Sequence, residues 1–152
     1  MKTQTELLTT LWIEGRTRFN NQLENITATD LKKKLLPSPN SVGFLIRHIG
    51  DVELLFAKNV FGAADTKVSA KTVIEKKDTG EWISPEELKA YTQHAFETLK
   101  SIVEKQTDAD WETSITTKEF GTKTKAEAFG RIISHTAYHA GQMAIIHKYG
   151  SV

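Results

Sequence analysis

The chain has 152 residues, and 20 Lys and Arg against 19 Asp and Glu give it a formal charge of +1. That length suits one domain spanning residues 1–152; the balanced charge, with Lys32–Lys34 as the one basic run, argues against nucleic acid as a partner. It contains no cysteine, which excludes disulfides, thiolate ligands and a Cys nucleophile and leaves His, Asp and Glu for any tight metal site.

Leu7, Leu11, Phe19, Leu23 and Ile26 recur at helical spacing, with Leu8 and Trp12 widening the stripe, and predict a first helix over about residues 3–26. Glu6 and Glu14 interrupt it as a signal core, and no run approaches the roughly 18 apolar residues of a membrane span. A cytosolic, membrane-free protein is therefore expected. A short helical turn at about 30–36, opened by Thr29, should be stopped by the "LPSPN" that follows. A second long helix runs over about 41–61, with Asn40 or Ser41 as N-cap and Gly62 as its stop. Its apolar face carries Leu45, Ile49, Val52, Phe56 and Val60.

Residues 63–83 keep no period and read as a long connection, with a short extended piece at about 67–74. Ser84 as cap, Pro85 at the first helical position and Glu87 as capping-box partner then launch a third helix to about Gln106. Residues 107–123 form a second polar connection ending in the turn-like "EFGTKT". Thr124 and Glu127 repeat the capping-box spacing, and Phe129, Ile132, Ile133, Ala140, Met143 and Ala144 mark the core stripe of a fourth helix closed by Gly150. Four long amphipathic helices and little else predict an all-α four-helix bundle, with connections long enough for a crossover.

His135 and His139 lie about 40° apart on the fourth helix, at roughly 240° and 280° from Phe129, on the border of the apolar stripe. His48 falls inside the flank of the second helix's stripe, about 40° from Val52. Burying such a ring without a partner costs on the order of 1–3 kcal/mol. The three imidazoles are thus either structural histidines that satisfy one another or an open metal site. Three neutral nitrogens suit Zn²⁺, Ni²⁺, Fe²⁺ or Mn²⁺ and leave coordination positions for water or substrate. Thr136 stands where a helical metalloprotease motif has its glutamate base, so that class is excluded.

The stretches "NSVGFLIRHIGDVE" (40–53) and "HTAYHAGQ" (135–142) resemble the DinB/YfiT superfamily of proposed metalloenzymes. The resemblance implies a four-helix bundle, often dimeric, holding nickel or zinc through one histidine of helix two and two of helix four. By position these are His48, His135 and His139. It further implies a small-molecule substrate and activities that range from thiol-dependent transfer, with a low-molecular-weight thiol as cosubstrate, to hydrolysis. A non-catalytic metal- or ligand-binding stress protein is the alternative.

Around the triad, Gln142 can bond a ligand's second nitrogen or a neighbouring backbone, Asp51 can orient His48, and Glu53 can serve as support or base. Solvated or salt-bridged roles compete with the last two. Gly141, in mid-helix at a cost of about 1 kcal/mol, suggests a close helix approach. Tyr138 projects away from the ligand strip, His94 reads as exposed, and His147 as a cation favoured by the helix dipole. Trp12, Trp82 and Trp111 read as anchors, the last two with a secondary option of roofing a cleft.

Overall fold

A computed structural model describes residues 1–152. The four long helices are α1 (Gln4–Glu24), α3 (Val42–Asn59), α5 (Pro85–Val103) and α7 (Lys125–Tyr149). Each begins at a hydroxyl cap: Thr3, Ser41, Ser84 and Thr124 accept from a backbone N–H of the first turn. Thr3 with Glu6 and Thr124 with Glu127 close full capping boxes, whereas at Ser84 only the forward bond forms. Ser41, not Asn40, caps α3.

The connections carry more structure than their polarity suggested. The short turn is α2 (Ala28–Lys32), opened two residues earlier than expected by a Thr27–Asp30 capping box, so Thr29 lies inside it. The expected extended piece is instead a five-residue helix, α4 (Lys71–Glu75), entered through Ala70 and left through Lys76, both left-handed at φ 48° and 55°. The second connection holds α6 (Asp108–Trp111) and a hairpin of β1 (Ser114–Thr117) and β2 (Gly121–Thr124), paired antiparallel with Thr117 opposite Gly121. Gly121 at φ 72° supplies the left-handed residue such a short loop requires. Elements of four or five residues are too short to display a period, so hydrophobic patterning passes over them.

Helix α1 packs along α7, α3 along α5 and α7, and α1 touches α5 to close the ring. Consecutive long helices α1 and α3, and α5 and α7, therefore sit on diagonals, and their connections cross the bundle ends. The buried line of α1 is Thr5, Thr9, Trp12, Arg16 and Phe19, while Leu7 and Leu11 are 51% and 50% exposed, against the expected stripe. Threonines take the inward places because Thr5 Oγ1 both donates to the Gln106 carbonyl and accepts from Trp111 Nε1. Ala144 on α7 is likewise exposed.

The core divides into two apolar layers. One contains Phe19, Leu45, Ile49, Leu88, Ala140 and Met143; the other contains Trp12, Phe56, Leu99, Phe129 and Ile132. On every long helix the gap between the layers falls at mid-length, and five of the buried polar residues lie there: Arg16, Asp51, Glu53, Thr92 and Thr136. The three imidazoles lie in the same band.

Candidate metal centre

Helix α3 supplies His48 and α7 supplies His135 and His139, one turn apart. One ring nitrogen from each lies within 4.8 Å of the other two. His48 Nε2 and His135 Nε2 are 3.1 Å apart, and the ring centroids are separated by 4.4 to 5.0 Å. All three rings are partly buried. Burial pushes the His48 pKa down to about 4, helped by the neighbouring His139 and opposed by Asp51. Burial likewise takes His135 down to about 3, with His139, His48 and Arg131 adding repulsion, and lowers His139 against the hydrogen bond to Gln142. The rings are consequently neutral at physiological pH, the state in which imidazole binds a cation.

Partners fix two of the rings from behind. His139 Nδ1 lies 2.6 Å from Gln142 Oε1, and the Gln142 amide donates to the Tyr138 hydroxyl at 3.1 Å. His48 stacks on Phe44, with planes 10° apart, and its Nδ1 lies 3.1 Å from Thr72 Oγ1. His135 Nδ1 is buried without a partner. The donor set fits a divalent ion: three neutral nitrogens converge, and no cation or acid stands among them.

Asp51 reaches His48 through Thr72 instead of touching the ring. Its Oδ2 accepts from Thr72 N–H and Oγ1–H, its Oδ1 from Arg47 Nε and the Tyr91 hydroxyl. Glu53 is no neighbour of the imidazoles; it pairs with Arg16 across the bundle diagonal, fully buried. Tyr138, expected to point away, stands beside the site, its ring centroid 5.1 Å from that of His139. The two residues are adjacent on the helix, but Gln142, one turn on, draws the hydroxyl back. His147 pairs with Asp30 at 3.1 Å in the last helical turn, and His94 is exposed. Neither tryptophan roofs the site: Trp82 is buried edge-on to Phe44 and Trp111 lies in the other core layer.

The imidazoles open onto a cleft of about 840 Å³. Val52, Leu55, Phe56, Val73 and Phe120 form its apolar walls, Lys58 and Lys118 bring cations, and Tyr138 lines it beside His135 and His139. Thr116 to Phe120 come from the hairpin, which patterning did not show. Thr72 was missed for a different reason: it sits 24 residues from His48 in an aperiodic segment. Tyr138 did carry a signal, the i,i+4 spacing to Gln142.

A four-helix arrangement with inward histidines on α3 and α7 defines a class, and the comparisons specify it. The model of the DinB superfamily matches residues 11–143, and the chain belongs to that superfamily. Its fold is similar to that of the mycothiol-dependent maleylpyruvate isomerase (TM-score 0.72, 18% identity, 94% of this chain covered). The chain spans 63% of that protein's length. It is also similar to a conserved protein from Enterococcus faecalis, at TM-score 0.71 and 19% identity over 97% of both chains. No curated protein matches the sequence.

Proposed function

We propose that this protein is a divalent-metal-dependent enzyme, with His48, His135 and His139 as ligands of nickel or zinc, that transfers a low-molecular-weight thiol to a small electrophile. The convergence of three neutral ring nitrogens at the floor of an apolar cleft carries this reading. A divalent ion held by His48, His135 and His139 would supply a Lewis acid able to lower the pKa of a thiol. The chain has no cysteine, so the sulfur must come from a cosubstrate. In the transfer the sulfur lone pair forms the S–C bond, the thiol proton leaves to solvent and the leaving group departs with its electron pair.

The chain's own residues do the rest. Gln142 and Thr72 hold two imidazoles in place. The apolar walls exclude water from the electrophile, and Tyr138 Oη, already accepting from Gln142, has its own proton free to donate to a substrate oxygen. Resemblance to a thiol-dependent isomerase favours transfer over hydrolysis. The carboxylates near the cleft favour it too: Asp51 and Glu53 are held in buried bonds of their own, and Glu119, which lines the cleft, pairs with Arg131, so hydrolysis lacks a free general base.

The test has two stages. Elemental analysis of purified protein should find about one divalent ion per chain in the wild type and none in a His135→Ala/His139→Ala variant of unchanged helicity. The zinc- and nickel-loaded protein is then assayed against paired thiols and electrophiles and, separately, against esters. Thiol-dependent turnover supports the proposal; ester cleavage without thiol supports hydrolysis; metal without turnover supports the non-catalytic alternative; retention of metal by the double variant refutes the ligand set.

A further inference from the structure

We propose that Thr72, on the connection between α3 and α5, is a positioning residue that sets the tautomer of His48. It does so by receiving the Nδ1 proton, so that Nε2 faces His135 and His139 as a lone pair. The proposal rests on the metal-site reading for its consequence but not for its geometry.

The argument is a count of hydrogens. Thr72 is 2% exposed, and its hydroxyl has one proton to give. Two atoms lie within reach, Asp51 Oδ2 at 2.7 Å and His48 Nδ1 at 3.1 Å. Asp51 is fully buried and already surrounded by donors, since Arg47 Nε, the Tyr91 hydroxyl and Thr72 N–H all point at its two oxygens. A carboxylate so surrounded only accepts, so the Thr72 proton goes to Asp51. The hydroxyl is then left with lone pairs toward His48, and the hydrogen between Thr72 and His48 must sit on Nδ1. In neutral imidazole one nitrogen donates and the other accepts, so Nε2 is bare.

The backbone is arranged for this contact. α4 has no side-chain N-cap of its own, and Asp51 fills that role by accepting Thr72 N–H. Ala70, two residues earlier, is held buried in the left-handed region, a conformation a residue with a Cβ adopts only when its surroundings impose it. One buried carboxylate on α3 thus holds both the segment and, through its hydroxyl, the ring. The Asp51–Thr72–His48 chain mirrors Gln142 behind His139, whose Oε1 can only accept, so the Nδ1 of that ring carries the proton and its Nε2 the lone pair. Two ligands are then preset before any ion arrives.

The experiment reads the metal-free protein first. Nitrogen chemical shifts of the His48 ring should show the Nδ1–H form in the wild type and in Thr72→Ser. In Thr72→Val, which keeps shape and removes the acceptor, and in Asp51→Asn, whose amide can donate to Thr72, the Nε2–H form should appear. Zinc affinity, measured by competition with a chromophoric chelator, should fall about 10- to 100-fold in Thr72→Val and return to within about threefold of wild type in Thr72→Ser. Circular dichroism identifies any variant that fails to fold, and the wild-type tautomer decides without variants. An Nε2–H ring in the wild type, or a Thr72→Val protein that keeps both tautomer and affinity, overturns the proposal. Wild-type protein that takes up neither zinc nor nickel overturns the metal reading instead, and the tautomer measurement still decides this one.

Discussion

Between the two apolar layers, Arg16 and Glu53 form an ion pair with side-chain exposures of 4% and 0%. The guanidinium also lies over the Phe96 and Phe19 rings, 4.7 and 5.3 Å from their centroids. Burial pushes the Glu53 carboxyl pKa up, with Arg16 pulling the other way. Removing one member strands the other, so Arg16→Ala should lose about 3–5 kcal/mol of unfolding free energy in urea titration. The double replacement Arg16→Met/Glu53→Leu should recover most of that loss, because two apolar chains of similar volume need no partner. A single variant within about 1 kcal/mol of wild type would contradict the assignment. The sequence marked Glu53 as a candidate support or base, with a salt-bridged role competing, but could not say what met it. Arg16 is 37 residues away, on a helix whose own phase was misread because leucines at 7 and 11 outweighed threonines at 5 and 9. The histidines were legible for the opposite reason, since two share one turn of a single helix.

At the scale of elements, two glycines make opposite predictions. A Cβ on Gly43 of α3 would stand 1.9 Å from the Trp82 carbonyl oxygen and 3.2 Å from that of Leu31, both backbone. Neither can turn aside as a side chain could, so Gly43→Ala should destabilise by about 3 kcal/mol or more and loosen the end of the connection between α3 and α5. Gly141 of α7 was expected to mark a close helix approach, yet a Cβ there would meet nothing within 4 Å. Gly141→Ala should therefore gain up to about 1 kcal/mol from helix propensity, seen as a Tm about 2–4 °C higher. A lower Tm would mean that something outside the chain packs on that face. The long helices were readable because caps and apolar period agree over five turns or more. α4, α6 and the hairpin were not, because tertiary contacts such as Asp51 capping α4 decide them.

At the scale of the molecule, the bundle joins α3 to α7 through the imidazoles, so protons and metal should act on stability in opposite directions. In the metal-free protein His48 titrates at about 4 and His135 at about 3, with His139 also lowered. Their unfolded values are ordinary, about 6.5. Between those limits the unfolded chain binds protons that the folded chain refuses, so the imidazoles' contribution is complete above about pH 6.5 and is lost as pH falls toward 4. Tm of the metal-free protein should accordingly drop between pH 7 and 5, and His135→Ala, with one such group fewer, should show a shallower slope. Zinc at about 100 times its Kd should add about 2.7 kcal/mol, or roughly 5–10 °C in Tm at pH 7. That increment should shrink on acidification as protons compete for the same nitrogens, and it should be absent in His135→Ala. Scanning calorimetry of both proteins, with and without zinc, from pH 7.5 to 5 measures all of these quantities. A zinc increment that persists in His135→Ala would place the ion elsewhere, and a metal-free slope unchanged by that substitution would mean that other groups carry the acid sensitivity.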